Sequence, residues 1–352
     1  MPGFRAPQRT GGVDRYYKEM RVAEERRWIV GLDIGGTNMV TGLVPFDGGE
    51  PLALRKLPTR PEGGGEDVVA RAVQAIHAAV DEVLHRTGGT RDDVAGVGIG
   101  SPGPLNRNTG IVLETPNLGW VDFPLRDLVS HAVGMPATLD NDANCATLGE
   151  WWMGAGRGSE ILVGLTLGTG IGGGLVLGGE VHHGASDAAG EFGHMTIDSM
   201  GRRCNCGNYG CLEAYASGPN IAARAVEGIR AGVESVLVDL VDGVLKDITA
   251  ATVYEGVVLG DAYAQEIMNE TAKFLAVGVA NLINALNPDT VVIAGGVTRA
   301  GDHLFVPLRK EVRRRAFRSA VAACRILPAA LPETAGVIGA AAVFKRDTFG
   351  FL

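Results

Sequence analysis

Trp28-Ile29-Val30-Gly31-Leu32-Asp33-Ile34 runs into Gly35-Gly36-Thr37-Asn38, and residues 40–44 resume an extended apolar pattern. The spacing predicts a strand, a glycine turn with a polar tip and a second strand, together a hairpin. The design recurs: 161–167 is an apolar strand, Gly168-Thr169-Gly170 a glycine turn, and Leu175-Val176-Leu177 the return. The chain reads as internally duplicated. Between these hairpins, Val69, Ala72, Val73, Ile76, Ala79, Val80 and Val83 recur at three and four, one face of a helix over 67–84. A strand is expected at 94–99, and another at 137–139 delivering Asp140-Asn141-Asp142 to a helix over 143–152. A long helical pattern over 265–286 stops at Asn287-Pro288, and a buried-type strand over 290–294 stops at Gly295-Gly296. Strands alternating with helices imply an α/β architecture.

The 352 residues, 46% hydrophobic and 20% charged, suit about two globular domains. The boundary is expected near Met135-Pro136, giving a small domain over 28–136 and a large one over 137–333. A last helix over about 334–344 is expected to return to the first domain, and residues 1–27, which match no core element, to form a mobile tail. A net charge of −8 points to no general affinity for nucleic acid. No apolar stretch in the first 27 residues could serve as a signal-peptide core, so a cytoplasmic location is expected. The uncharged run 161–179 approaches membrane-spanning length but holds eight glycines, which reads as strands and turns, not as a membrane helix. Five cysteines, three within eight positions, are no secreted disulfide framework.

Glycine supplies 52 residues, roughly twice its usual share of about 7%. Glycine turns after apolar strands suit anionic phosphates, because backbone N–H groups can approach the oxygens where no Cβ intervenes. Singly each is an ordinary hairpin end; three in one chain favour nucleotide phosphate. The turn at Asp33, Gly35, Gly36, Thr37 and Asn38 sets a carboxylate beside a hydroxyl, a pairing suited to Mg²⁺, commonly through water. Gly168-Thr169-Gly170 keeps the hydroxyl without the acid, and Gly295-Gly296 suits a flat base or ribose. Gly168, Gly170 and Gly173 also satisfy G-x-G-x-x-G with Glu191 about 20 residues on, as does the trio Gly98, Gly100 and Gly103. Neither opens a helix, as a dinucleotide fold requires.

Cys204, Cys206 and Cys211 lie on a glycine-bearing loop with His194 ten positions earlier. Cys₃His is a regular zinc set, and four protein ligands would make the metal structural. Around the loop stand Asn141, Asp142, Glu191, His194 and Glu213, donors and acceptors of the kind a polyol needs.

These motifs, Asp33 to Asn38, 139–146, Glu191 to His194 and Cys-x-Cys-Gly-x-x-Gly-Cys-x-Glu over 204–213, resemble the ROK family of sugar kinases and repressors across about 28–345. The resemblance implies an actin-like ATPase fold of two ribonuclease-H-like domains, with hexose and ATP in the interdomain cleft, Mg²⁺ with the ATP and zinc ordering the sugar loop. It implies Asp142 as general base toward the sugar 6-hydroxyl, with Asn117, Asn141, Glu191, His194 and Glu213 on the other hydroxyls. His194 would bind zinc with one ring nitrogen and face the sugar with the other. Asp33 would orient Mg²⁺ through water, Thr37 and Thr169 would contact phosphates, and Gly295-Gly296 would lie near the adenosine. The family's repressors carry an N-terminal helix-turn-helix, and residues 1–27 lack that pattern, which favours a kinase. Glucose is the expected sugar, with mannose, fructose, N-acetylmannosamine and N-acetylglucosamine as alternatives, and a sugar sensor without turnover as a rival of another class. Polyphosphate is an alternative donor, and a homo-oligomer, dimer or tetramer, is expected. Because Asp142 falls at a helix N-terminus, its carboxylate is expected to be a weaker base than usual.

Overall fold

The computed structural model describes residues 26–115 and 117–352. The expected tail thus lies outside the described residues except for Arg26 and Arg27. Arg27 belongs to the fold: its N–H donates to the Asp93 carbonyl and its carbonyl accepts from Phe46 N–H.

The first half opens with the antiparallel meander β1 (Trp28–Ile34), β2 (Asn38–Pro45) and β3 (Leu52–Pro58), then α1 (Gly65–Thr87) and β4 (Val94–Ser101). A separate three-stranded sheet follows, of β5 (Leu105–Asn106), β6 (Ile111–Thr115) and β7 (Trp120–Phe123). Next come α2 (Leu125–Val133), β8 (Ala137–Asn141) and α3 (Asp142–Met153). The second half holds β9 (Ile161–Leu167), β10 (Ile171–Leu177), β11 (Glu180–Val181), α4 (Glu213–Ala216), α5 (Gly218–Arg230), α6 (Ala250–Val258) and α7 (Ala262–Leu286). It ends with β12 (Thr290–Ala294), α8 (Asp302–Arg315), α9 (Arg318–Ala323), β13 (Arg325–Pro328) and α10 (Ala335–Phe349).

The two main sheets run β3-β2-β1-β4-β8 and β11-β10-β9-β12-β13. Counted within each half, both are 3-2-1-4-5: an antiparallel meander on one side, parallel strands on the other. This is the duplicated ribonuclease-H-like arrangement of an actin-like ATPase fold. β1 and β4 are buried along nearly their whole length, as strands covered on both faces must be, while edge strand β3 alternates toward solvent. Ala137–Asn141, expected to open the second domain, instead completes the first sheet, because β4 offers it a parallel edge over Val97 to Ser101. A division at 136–137 would therefore split that sheet between β4 and β8.

The halves exchange their last helices. α3 leaves the first sheet at β8 and packs on β9 and β10, whereas α10 leaves the second sheet after β13 and packs on β1 and β4. The two helices cross closely, since a Cβ at Gly149 would overlap the Ala335 carbonyl and one at Gly339 the Cys145 carbonyl. Helix ends follow local chemistry: Asn141 caps α3, Asp261 caps α7 by accepting from Ala264 N–H at 2.7 Å, and Gly88 closes α1 in the left-handed region. Among the described residues no helix is long and apolar enough to cross a membrane, and the glycine-rich run after Ser159 is the β9–β10 hairpin.

Candidate active site

A cleft of about 610 Å³ lies between the two sheets and takes walls from both. Thr37 and Gly36 reach it from the β1–β2 turn, and residues 168–170 from the β9–β10 turn. Asn117 enters from the β6–β7 turn, where Leu118 and Gly119 N–H both donate to the Thr115 carbonyl and leave Asn117 exposed. Asn141, Asp142, Glu191, His194 and Glu213 complete the polar lining. All six residues expected to touch sugar therefore share one cavity.

Asn141 Oδ1 accepts from Ala143 N–H at 2.9 Å and Asn144 N–H at 3.2 Å, so the cap commits its oxygen and leaves the amide NH₂ to donate. Asp142 opens the helix itself, with Oδ1 accepting from Ala143 N–H at 2.9 Å. Contrary to the expectation of a weakened base, its pKa is pushed up to about 6. Burial drives the rise and the negative charge of Glu191 adds to it, together outweighing the hydrogen bond from Ala143 N–H.

Asp33 is recessed at the end of β1, beside Gly100 of β4, and is not part of the cleft wall. Its carboxylate lies against Gly336 in the first turn of α10. Burial first, and then the charge of Asp142, push its pKa up to about 7. Gly35 and the exposed Asn38 are likewise not part of the wall, and they close the turn through a 2.9 Å bond from Gly35 N–H to the Asn38 carbonyl. Thr59 braces this turn with a hydroxyl donated to the Gly35 carbonyl at 2.6 Å.

On the opposite turn, Gly168 N–H donates to the Gly170 carbonyl at 2.9 Å, and the Gly168 carbonyl accepts from Gly218 N–H at 2.9 Å. A Cβ at Gly168 would meet nothing within 4 Å, so this glycine is open to a ligand. Gly295 is different. It sits at φ +97°, and a Cβ there would overlap the Leu167 carbonyl, so packing demands it. Gly296 lines a second, mostly apolar cavity of about 610 Å³ that shares Leu167, Gly168 and Thr169 with the cleft. Ile248, Tyr254, Met268 and Arg299 form its walls. Sequence reading missed them because they come from separate elements with no local motif. It also missed Thr166, Asp187 and the Pro102-Gly103 turn, which line the cleft.

Glu213 is fixed by accepting Ile171 N–H at 2.9 Å on Oε2, with Oε1 3.7 Å from Cys204 Sγ. The donor atoms of His194, Cys204, Cys206 and Cys211 all lie within 4.8 Å of one another. Zn–S bonds of about 2.3 Å in a tetrahedron imply sulfurs about 3.8 Å apart. Cys206 and Cys211 Sγ are 3.7 Å apart, and Cys204 Sγ is 3.8 Å from His194 Nδ1, a fit to a bound cation. Burial otherwise pushes the Cys204 thiol up to about 12. His194 Nε2 is left facing the cleft, 4.0 Å from Glu191 Oε2.

The profile of the ROK family matches residues 29–347. The glucokinase of Halalkalibacterium halodurans is 39% identical over 91% of this chain and 96% of its own. A xylose repressor of Caldicellulosiruptor bescii is 30% identical, over 82% of this chain and 71% of its own. Among solved structures, a ROK family glucokinase from Streptomyces griseus in complex with glucose and AMPPNP superposes with a TM-score of 0.77 at 35% identity, covering 90% of this chain and 98% of that one. The duplicated fold, the shared cleft and these likenesses agree, and the chain belongs to the ROK family.

Proposed function

We propose that the chain is a glucokinase, transferring the γ-phosphoryl group of ATP to the 6-hydroxyl of glucose. One observation carries the reading: Asp142, with its pKa near 6, stands in the same cleft as a polyol-type polar set and an open glycine turn. A carboxylate of that pKa is ionised at neutral pH yet basic enough to take the hydroxyl proton as attack proceeds. Asn141 through its amide, and Asn117, Glu191, His194 and Glu213, orient the remaining hydroxyls so that the 6-hydroxyl reaches Asp142. Residues 168–170 and Thr37 receive the phosphates, and the apolar cavity beside Gly296 receives the adenine and ribose. Phosphoryl transfer needs alignment and charge neutralisation more than covalent help, which suits turns of backbone N–H groups.

Asp33 is the group for Mg²⁺, which when bound neutralises phosphate charge. The charge of Asp142, which adds to the burial that raises the Asp33 pKa, supports this, since neighbouring carboxylates favour a cation. Zinc on His194, Cys204, Cys206 and Cys211 would cross-link the loop that carries the sugar ligands and fix the His194 ring. We further propose a cytoplasmic homo-oligomer feeding glycolysis.

A coupled ADP-release assay with ATP or polyphosphate across glucose, mannose, fructose and the two N-acetylhexosamines tests the reading. Glucose with ATP should give the highest kcat/KM, and a higher value for another sugar or donor would displace it. The likeness to a xylose repressor supports one rival, a sensor, which requires sugar binding without ADP release.

A further inference from the structure

Behind the catalytic turn lies a charged cluster that the proposed chemistry does not use. Asp140, 1% exposed, precedes the Asn141-Asp142 pair. Its Oδ1 accepts from Asn141 N–H at 2.7 Å and from Asn144 Nδ2 at 3.1 Å, holding the turn from which Asp142 projects. Its Oδ2 lies 2.8 Å from His183 Nε2 and forms an ion pair with Arg107 Nε at 3.0 Å. The Arg107 N–H is not aligned on that oxygen as a hydrogen bond. Arg107 Nη1 lies 3.3 Å from His183 Nδ1; since a guanidinium only donates, Nδ1 accepts and the ring proton sits on Nε2, facing Asp140. Arg107 Nη2 donates to Asp347 Oδ2 of α10 at 2.8 Å.

The backbone of Arg107 is held as well. Its N–H donates to Asp187 Oδ2 at 3.2 Å, and Asp187 lines the cleft on the loop that leads to Glu191 and His194. Asp187 sits at φ +57°, where glycine is the less strained residue, so Asp187→Gly can remove the carboxylate without straining the backbone. Arg107 thus joins the sugar loop of the second half, through Asp187, to the base-bearing turn of the first, through Asp140. One point of attachment, Asp187, lines the cleft, and the other, Asp140, is buried behind the turn that carries Asp142.

We propose that Arg107 is a positioning residue for phosphoryl transfer, keeping the Asp142 turn in register with the sugar loop through Asp140 and Asp187. The inference rests on Asp142 being the base. A displacement of that turn by about 1 Å would misplace the base and cost up to about 100-fold in rate, while Asn117, Glu191, His194 and Glu213, which lie off the turn, keep their places in the cleft. The role therefore shows in kcat and not in sugar affinity.

The experiment compares Asp187→Gly, Arg107→Met, Arg107→Lys and Asp142→Asn in the full chain, measuring kcat, KM for glucose, glucose affinity by calorimetry and Tm. Asp187→Gly relieves the backbone, so Tm should hold or rise, while kcat falls about tenfold with KM within about threefold. Arg107→Met should lose about 10–100-fold in kcat, and Arg107→Lys, which keeps the charge but not the fork, should recover part of it. The proposal is overturned if Asp187→Gly keeps kcat within about twofold, or if its loss appears in KM as a direct sugar contact requires. Should Arg107→Met fail to fold, Asp187→Gly decides alone. Loss in Asp142→Asn without loss in Asp187→Gly removes this inference only, whereas full turnover in Asp142→Asn removes the base on which it stands.

Discussion

The β1–β2 and β9–β10 hairpins occupy the same place in two sheets of the same order and end on the same kind of pair, Ile34 with Met39 and Leu167 with Ile171. One step back along the strand they part: Asp33 in the first half has Thr166 as its counterpart. The parallel strands differ likewise, since β8 runs into Asn141 and Asp142 whereas β13 ends on Leu327 and Pro328. Duplication supplies two equal frames, and the acids that move or hold charge on those frames are concentrated in the first. The second contributes an open backbone turn and an apolar cavity, suited to binding a nucleotide without reacting with it, and the loops that bring Glu191, His194 and Glu213 to the cleft.

The largest effect that can break this division is at Asp142. Asp142→Asn should lower kcat by about 10²–10⁴-fold with ATP affinity unchanged. Steady-state kinetics beside calorimetry decides, and a loss of nucleotide affinity would put the first frame in the second's role. Next, Gly168→Val should weaken ATP binding about tenfold by excluding phosphate from the turn, with glucose binding intact. The empty space around Gly168 makes this a test of ligand contact and not of folding, and equal ATP affinity would show the turn to be structural. A smaller effect is expected at the proposed zinc site of His194, Cys204, Cys206 and Cys211, on the reading that it orders the sugar ligands more than either turn. Purified protein should carry about one zinc per chain, and Cys206→Ser should raise the glucose KM about fivefold and lower Tm. Protein without stoichiometric zinc, with the variant unchanged, would remove the metal from the account.

The smallest effect concerns stability. The pKa of Asp142 rises from 3.8 to about 6 in the fold, so the folded state prefers the protonated form and ionisation works against it. That penalty is absent below about pH 4 and complete above about pH 6, so Asp142→Asn should raise Tm by about 2 °C at pH 8 and not at pH 4. The same group should give wild-type kcat/KM an acidic limb near pH 6. A variant no more stable at pH 8 than at pH 4 would mean the carboxylate is not destabilised by burial.

Strands such as β1, β9 and β12 were legible because each is an apolar run stopped by glycines, and α1 and α7 because their buried faces recur at helical spacing. The β5–β7 sheet was not, since β5 is two residues long and its neighbours alternate only briefly. Of the six cleft-lining residues expected to touch sugar, five could be named because they sit in compact motifs, and Asn117 from the family resemblance. The apolar cavity beside Gly296 could not, as Ile248, Tyr254, Met268 and Arg299 meet only after α6, α7 and the turn after β12 have packed. Nor could the pKa of Asp142 be read from its helix position, because burial depends on what the other half of the chain lays over it. Asp187 showed no signal in a loop of small residues; only its place in the cleft wall and its bond to Arg107 distinguish it.

The exchange of helices between the halves bears on the order in which the molecule can be made. As the chain leaves the ribosome, β1, β2, β3, β4 and β8 emerge long before α10, the helix that lies across β1 and β4. The second sheet has its crossing helix, α3, in hand before its own strands appear, so it can mature as it is synthesised. The first sheet must wait with an apolar face uncovered until nearly the whole sequence has passed, and is the half that a holding chaperone would engage. Loss of the residues forming α10 would therefore strand the earliest-made half of the protein, not the latest.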